Sequence, residues 1–277
     1  MPEFVRAARR AAAAGLRRGL RRACRSLRSD ARAALAAGAV ACLLALASGA
    51  AAERVRPVAA PATLDAASAD LVARRVSAAH ADVTAVWRHD FRWRLGRDYT
   101  PPELVHFSGR RPSPCAGSAG VTGLAYCPLD RTLSVDLAFL ARLSERLRSE
   151  SDRALVLLVA RTEASHVQAE LKILGDAERL ARGMSDAERA ELDEAVVLQG
   201  DCMAGVWAQR ARRQIGAVPE GTWERAVSAA RAVSPEAAAA ARLDRAAPEA
   251  REEAFARGYG AGQLRDCLAP GLAGVLR

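Results

Sequence analysis

The chain holds a single lysine, Lys172, and few aromatic residues: 4 tryptophans, 3 tyrosines and 5 phenylalanines in 277 residues. Its 41 basic side chains are therefore almost all arginine, and no stretch interleaves them with rings as a nucleic-acid-binding surface requires. Nucleic acid is excluded as a partner on that ground. Histidine is also scarce. No two of His80, His89, His106 and His166 stand at metal-ligand spacing on one helix, so a site built on paired imidazoles is excluded. His80 and His89 read as solvated helix residues and His106 as a structural residue of a short strand. The 6 cysteines include no Cys-x-x-Cys, which argues against a thiolate metal site. No internal repeat is present, and Ala237–Ala241 is a run of low complexity.

Charge is unevenly distributed. Residues 1–32 hold ten arginines against Glu3 and Asp30, so nearly all of the formal net charge of +9 lies there. This basic block precedes Ala33–Ala52, an uncharged segment just long enough to cross a hydrocarbon core as a helix. The positive-inside rule keeps the arginines cytoplasmic and puts everything from Glu53 onward outside the cytoplasm. A membrane anchor is the first reading; a cleaved signal segment, with Ala50-Ala51-Ala52 before Glu53 as its cleavage site, is the second. The expected organisation is a basic cytoplasmic tail at 1–32, an anchor or signal at 33–52, a Pro-containing linker at 53–64 and one folded domain at 65–277.

Cysteine usage agrees with export. Cys115, Cys127, Cys202 and Cys267 lie in the expected domain, and an even count in an oxidising compartment reads as two disulfides. Three pairings exist. Cys115–Cys127 with Cys202–Cys267 is preferred, since the first closes a loop of hairpin size and the second ties the C-terminal tail to a helix.

The fold class expected is α+β, predominantly helical. Leu71, Val76, Val83, Val86 and Trp87 have helical spacing within a first helix from Ala66 to about Leu95. Leu104–Phe107 favours a strand, followed by a Gly/Pro/Ser loop to Gly120. Leu124–Cys127 and Thr132–Val135 flank a turn and form a hairpin. Asp136 caps a helix through Leu147, and a further helix runs from Asp152 to Leu174 with Gly175 as its C-terminal cap. Ser185-Asp-Ala-Glu188 is a capping box opening a long helix through Trp207, and shorter helices lie near Trp223–Val233 and Pro248–Tyr259. Trp87, Trp93, Trp207 and Trp223 read as core or cleft-wall residues.

Thr162-Glu163-Ala164-Ser165-His166 has the form of a His-Glu-x-x-His motif without its first histidine. In the intact motif two imidazoles one helix turn apart bind zinc and the glutamate activates the metal's water. Several blocks surround it. They are Tyr99-Thr-Pro-Pro-Glu-Leu-Val-His-Phe-Ser-Gly109, Cys115-Ala-Gly-Ser118, Ala125-Tyr-Cys-Pro-Leu-Asp130 running into Val135-Asp-Leu-Ala-Phe139, Leu198-Gln-Gly-Asp-Cys-Met-Ala-Gly-Val-Trp207, and Arg251-x3-Phe255-x2-Gly258-x3-Gly262-x4-Cys267. On these blocks the chain from Trp87 to Cys267 resembles the bacterial neutral zinc metallopeptidase family, a group of membrane-anchored, extracytoplasmic zincin-like proteins.

The resemblance implies a small sheet over two core helices, with an edge strand that pairs with an extended substrate. It implies Glu163 as a relict general base, Thr162 and Val197 as lost ligand positions, His166 as the one surviving ligand and Asp201 as a residue that would orient a ligand. One imidazole holds zinc poorly, so no cofactor is expected although the family uses zinc; Glu194, one turn before Val197, is the only nearby substitute. His166 is expected to bond Asp201, and Glu163 to tie the two core helices together. Three readings of function follow. They are a non-catalytic membrane-tethered relative whose old cleft binds a peptide or protein, an active peptidase with an atypical metal site, and a purely structural envelope protein.

Overall fold

The computed structural model describes residues 64–267. The basic block, the apolar segment and all but the last residue of the expected linker lie outside them. Among the described residues no helix is long and apolar enough to cross a membrane.

Helix α1 (Ala66–Arg94) starts where the Asp65 carboxylate accepts from Ser68 N at 2.9 Å, an N-cap that satisfies one of the first turn's free donors. Val72, Val76, Ala79, Val83 and Trp87 form its buried stripe, at spacings of three and four that keep one face inward. Leu71, expected in that stripe, is 44% exposed, because the stripe runs through its neighbour Val72. Trp93 also departs from expectation. It is 72% exposed, with the Arg92 guanidinium over its ring.

The expected strands form a three-stranded sheet in the order β1 (Glu103–Phe107), β5 (Thr132–Asp136), β4 (Leu124–Cys127). The central strand β5 is parallel to β1 and antiparallel to β4. All five residues of β5 are buried, as a middle strand covered on both faces must be. The segment expected as a loop instead holds a second antiparallel pair, β2 (Arg111–Ser113) and β3 (Gly117–Val121). Its residues are polar or small and carry no period-2 signal. The turn between them bears Cys115, which is bonded to Cys127 at the end of β4, so tertiary tethering supplies what strand propensity does not.

Asp136 ends β5 and caps α2 (Leu137–Leu147), its Oδ1 accepting from Ala138 N at 3.0 Å, Phe139 N at 3.2 Å and Gly109 N at 3.1 Å. Helix α3 (Ser151–Glu170) follows and is buried on nearly every side, packed against α1, α2, β4 and α5. It is shorter than expected. Lys172, at φ 64, takes the left-handed position that ends the helix, and a new helix α4 (Ile173–Ala181) runs straight through Gly175. A non-glycine residue in that conformation carries no sequence signal.

The capping box Ser185–Glu188 opens α5 (Asp186–Arg210) as expected. Beyond it come α6 (Arg212–Ile215), α7 (Thr222–Val233), α8 (Pro235–Ala240), α9 (Pro248–Ala261) and a 3-10 turn at Leu264–Cys267. Helix α8 lies in the alanine run that reads as mere low complexity; the Ser234 hydroxyl caps it and Pro235 opens its first turn. Helices α5 and α9 cross closely. A Cβ on Gly205 would stand 2.1 Å from the Phe255 carbonyl oxygen, and one on Gly258 1.9 Å from that of Cys202, so the two backbones leave no room for a side chain. The Cys202–Cys267 disulfide fastens the same crossing, and both expected pairings are present.

Candidate active-site cleft

A cleft of about 560 Å³ opens beside β4, which has β5 as a partner on one side only. Leu124 and Tyr126 form one wall, Arg161, Thr162 and Ser165 of α3 the floor, and Arg242, beyond α8, part of the opposite wall. Positions 161, 162 and 165 have the spacing i, i+1, i+4. That is also the spacing of the two histidines and the glutamate in His-Glu-x-x-His, displaced by one residue from the expected motif. Glu163 and His166 do not line the cleft; both are fully buried on other sides of the helix.

Arg161 is the centre of the cleft floor. Its Nε donates to Asp201 Oδ1 at 2.7 Å, Nη1 to the Ser165 hydroxyl at 3.1 Å and Nη2 to the Val197 carbonyl at 3.3 Å. One guanidinium thus joins α3 to α5 by two bonds, while its third, to Ser165, stays within α3. Gly200 makes room for it, since a Cβ there would lie 2.7 Å from Arg161 Cζ. Asp201 receives a second guanidinium on the same oxygen, from fully buried Arg251 at 2.8 Å. Burial pushes the Asp201 carboxyl up while Arg251 and Arg161 hold it down, and burial pulls Arg251 down to about 10 despite the carboxylate. Gln168 reinforces the seam, donating to the Val196 carbonyl and the Gln199 side chain, each at 2.8 Å.

The expected motif residues serve a different network. Glu163 accepts from Tyr99 OH at 2.8 Å and Thr84 at 3.0 Å, and its other oxygen lies 2.9 Å from His80 Nδ1. It therefore ties α3 to α1, where a link to α5 was expected. His80, expected to be solvated, is its half-buried partner, with a side chain 15% exposed. His89 is exposed, as expected. His166 Nε2 lies 2.8 Å from the Thr100 carbonyl and Nδ1 2.9 Å from Tyr126 OH, so its partner is a backbone oxygen and a phenol, not Asp201. Burial pulls His166 below the ordinary histidine value, which favours the neutral ring. Burial, then the Glu163 charge, pushes Tyr99 well above 10, and burial pushes Tyr126 up to about 12. His106 is half-buried in β1 and its Nε2 has no hydrogen-bond partner.

These residues do not fit zinc. Both nitrogens of His166 are engaged, and Glu163 is enclosed by three donors. The Thr162 hydroxyl donates back to the Leu158 carbonyl at 2.8 Å, and the cleft face offers a cation and hydroxyls where zinc needs imidazole, carboxylate or thiolate. Among the described residues no three His, Cys, Asp or Glu side chains converge where they could hold a metal. Val197 is buried at the α3–α5 seam; Glu194 is exposed and outside the cleft lining. Arg161, Ser165, His80, Tyr99 and Tyr126 carry no role in the sequence reading. The available signal is the spacing of Arg161, Thr162 and Ser165, legible only once the cleft face of α3 is known.

Residues 41–269 match the family described as "Putative neutral zinc metallopeptidase". The "Uncharacterized protein YpfJ" of Escherichia coli (strain K12) is 29% identical over 206 residues, 72% of this chain and 71% of that protein. The "Uncharacterized protein Mb2605" of Mycobacterium bovis is 35% identical over 136 residues, 48% of this chain and 43% of that protein. "Uncharacterized protein Rv2575" of Mycobacterium tuberculosis (strain H37Rv) matches to the same extent. No solved structure matches. With most of its length matched, the chain belongs to the neutral zinc metallopeptidase family.

Proposed function

We propose that this chain is a non-catalytic member of its family, held outside the cytoplasm by its N-terminal apolar segment, whose cleft binds a peptide without cutting it. The observation that carries the reading is Arg161. Its guanidinium lies in the cleft floor at the first position of an i, i+1, i+4 set, bonded to Ser165, Val197 and Asp201. A fixed organic cation there cross-links α3 and α5, the mechanical service a metal would perform, without a coordination site for water. Glu163, the supposed general base, has no path to the cleft and acts as a structural acceptor.

The test compares two restorations by zinc titration of the purified full chain. If 161, 162 and 165 are the old site positions, Arg161→His, Thr162→Glu, Ser165→His and Val197→Glu together raise zinc affinity by orders of magnitude. The pair Thr162→His and Val197→Glu, which keeps Glu163 and His166 as motif residues, does not. The opposite result restores the register read from the sequence. Stoichiometric zinc on the parent chain that survives dialysis, together with peptide hydrolysis, sinks the non-catalytic reading.

A further inference from the structure

Charge and length within the cleft go further than a generic peptide groove. Arg161 has one carboxylate, Asp201, and shares it with Arg251, so two buried guanidiniums face one negative charge. Arg242, on the facing wall, is paired with Asp193, which also receives Arg245 at 3.7 Å, while Asp244 lies 3.7 Å from Arg245. Burial first, then the neighbouring Arg161 and Arg245 charges, pulls Arg242 down to about 10, although its side chain is 39% exposed. The remaining carboxylates of the lining, Glu178 and Asp186, come from α4 and the start of α5. Asp186 lies ten residues before Val196 on α5, a separation of about 15 Å along the helix. The cleft is thus long and its arginine excess lies at one end.

We propose that the cleft takes a short extended peptide laid along the free edge of β4, with a carboxylate of that peptide seated between Arg161 and Arg242. A length of about 15 Å accommodates four or five extended residues at about 3.3 Å each, more than a free small anion uses. The open edge of β4 supplies main-chain partners for such a segment. Arg161 spends one bond each from Nε, Nη1 and Nη2. Two of its five N–H groups stay available for a bidentate contact with a carboxylate. The proposal rests on the peptide-binding reading above and adds the chemistry that selects the peptide.

Calorimetry on the full chain tests it with four probes: N-acetyl-Thr-Val-Thr-Val-Ala as the free acid, the same peptide as its amide, an amide variant ending in Asp, and acetate. At least one carboxylate peptide is expected to bind about tenfold or more tighter than the plain amide, the scale of one charge-assisted contact. Arg242→Gln, which leaves the backbone carbonyl that Arg251 uses, is expected to erase that ratio, and Arg161→Gln likewise if the variant folds. Three peptides of equal affinity, no binding by any of them, a ratio unchanged in Arg242→Gln, or acetate binding as tightly as the peptides overturns the proposal. Cleavage of a bound peptide overturns the non-catalytic reading and leaves the carboxylate preference to be judged on the affinities, so the two failures are distinct.

Discussion

Glu163 shows at the scale of one residue how a carboxylate inside a helix can serve as a structural acceptor. It is fully buried, and Tyr99, Thr84 and His80 converge on it. Removing a charged acceptor strands every donor it served, a cost that exceeds the net worth of the bonds themselves. Glu163→Ala is therefore expected to lower unfolding stability by about 3 kcal/mol in denaturant titration, with Glu163→Gln losing clearly less. A change below about 0.5 kcal/mol, typical of surface positions, contradicts the network. His166 makes a second prediction, about pH. Its folded value lies below its unfolded one, so as pH falls below about 6.5 the unfolded chain takes up the proton first and stability declines until the folded value is passed. Above about pH 10 the sign reverses in cause. Tyr99 and Tyr126 ionise later in the folded protein than in the unfolded chain, so stability falls again. Melting temperature against pH is expected to show a plateau between these limits; a protein most stable at pH 5.5 would refute the buried neutral imidazole.

At the scale of elements, helix crossings depend on where side chains are missing. Gly258 and Gly205 sit where α5 and α9 touch backbone to backbone, and no rotamer change can relieve a Cβ placed against a carbonyl oxygen. Gly258→Ala is expected to cost about 3 kcal/mol, the upper end for overpacking, while Gly175→Ala is expected to gain about 0.5–1 kcal/mol. Gly175 lies inside α4 with open space around its Cα. Had it been the left-handed cap that its sequence context suggests, alanine there would destabilise, so thermal melts of the two variants decide the boundary as well as the crossing. Helix α3 illustrates the same limit from another side. Its near-total burial is visible in Leu155-Val-Leu-Leu-Val159, but a helix apolar all round has no moment to say which face meets the cleft. The assignment of Glu163 and His166 to that face was therefore one residue out of step with the face that α3 presents.

For the whole molecule, the two disulfides divide the work of holding small and distant parts. Cys115–Cys127 spans 12 residues and Cys202–Cys267 spans 65. Loop-closure entropy then assigns about 3 kcal/mol to the first and about 4 kcal/mol to the second. Replacing Cys202 and Cys267 by alanine is expected to lower unfolding stability more than replacing Cys115 and Cys127, measured by denaturant titration; the reverse order would mean that native-state packing outweighs the entropy of the unfolded chain.

Composition, caps and spacing were enough for the family blocks, the α+β class, the β4–β5 hairpin, the Asp136 cap, the Ser185–Glu188 box and both cysteine pairs, because each rests on residues close in sequence or on a small set of alternatives. The left-handed Lys172, the β2–β3 pair, the His80–Glu163 contact and the Arg161 cross-link were decided only by the tertiary structure. Each joins groups distant along the chain or depends on which side of a buried helix faces out. That orientation is set by the packing of α3 against α1, β4 and α5 together, and no local pattern in the sequence encodes it.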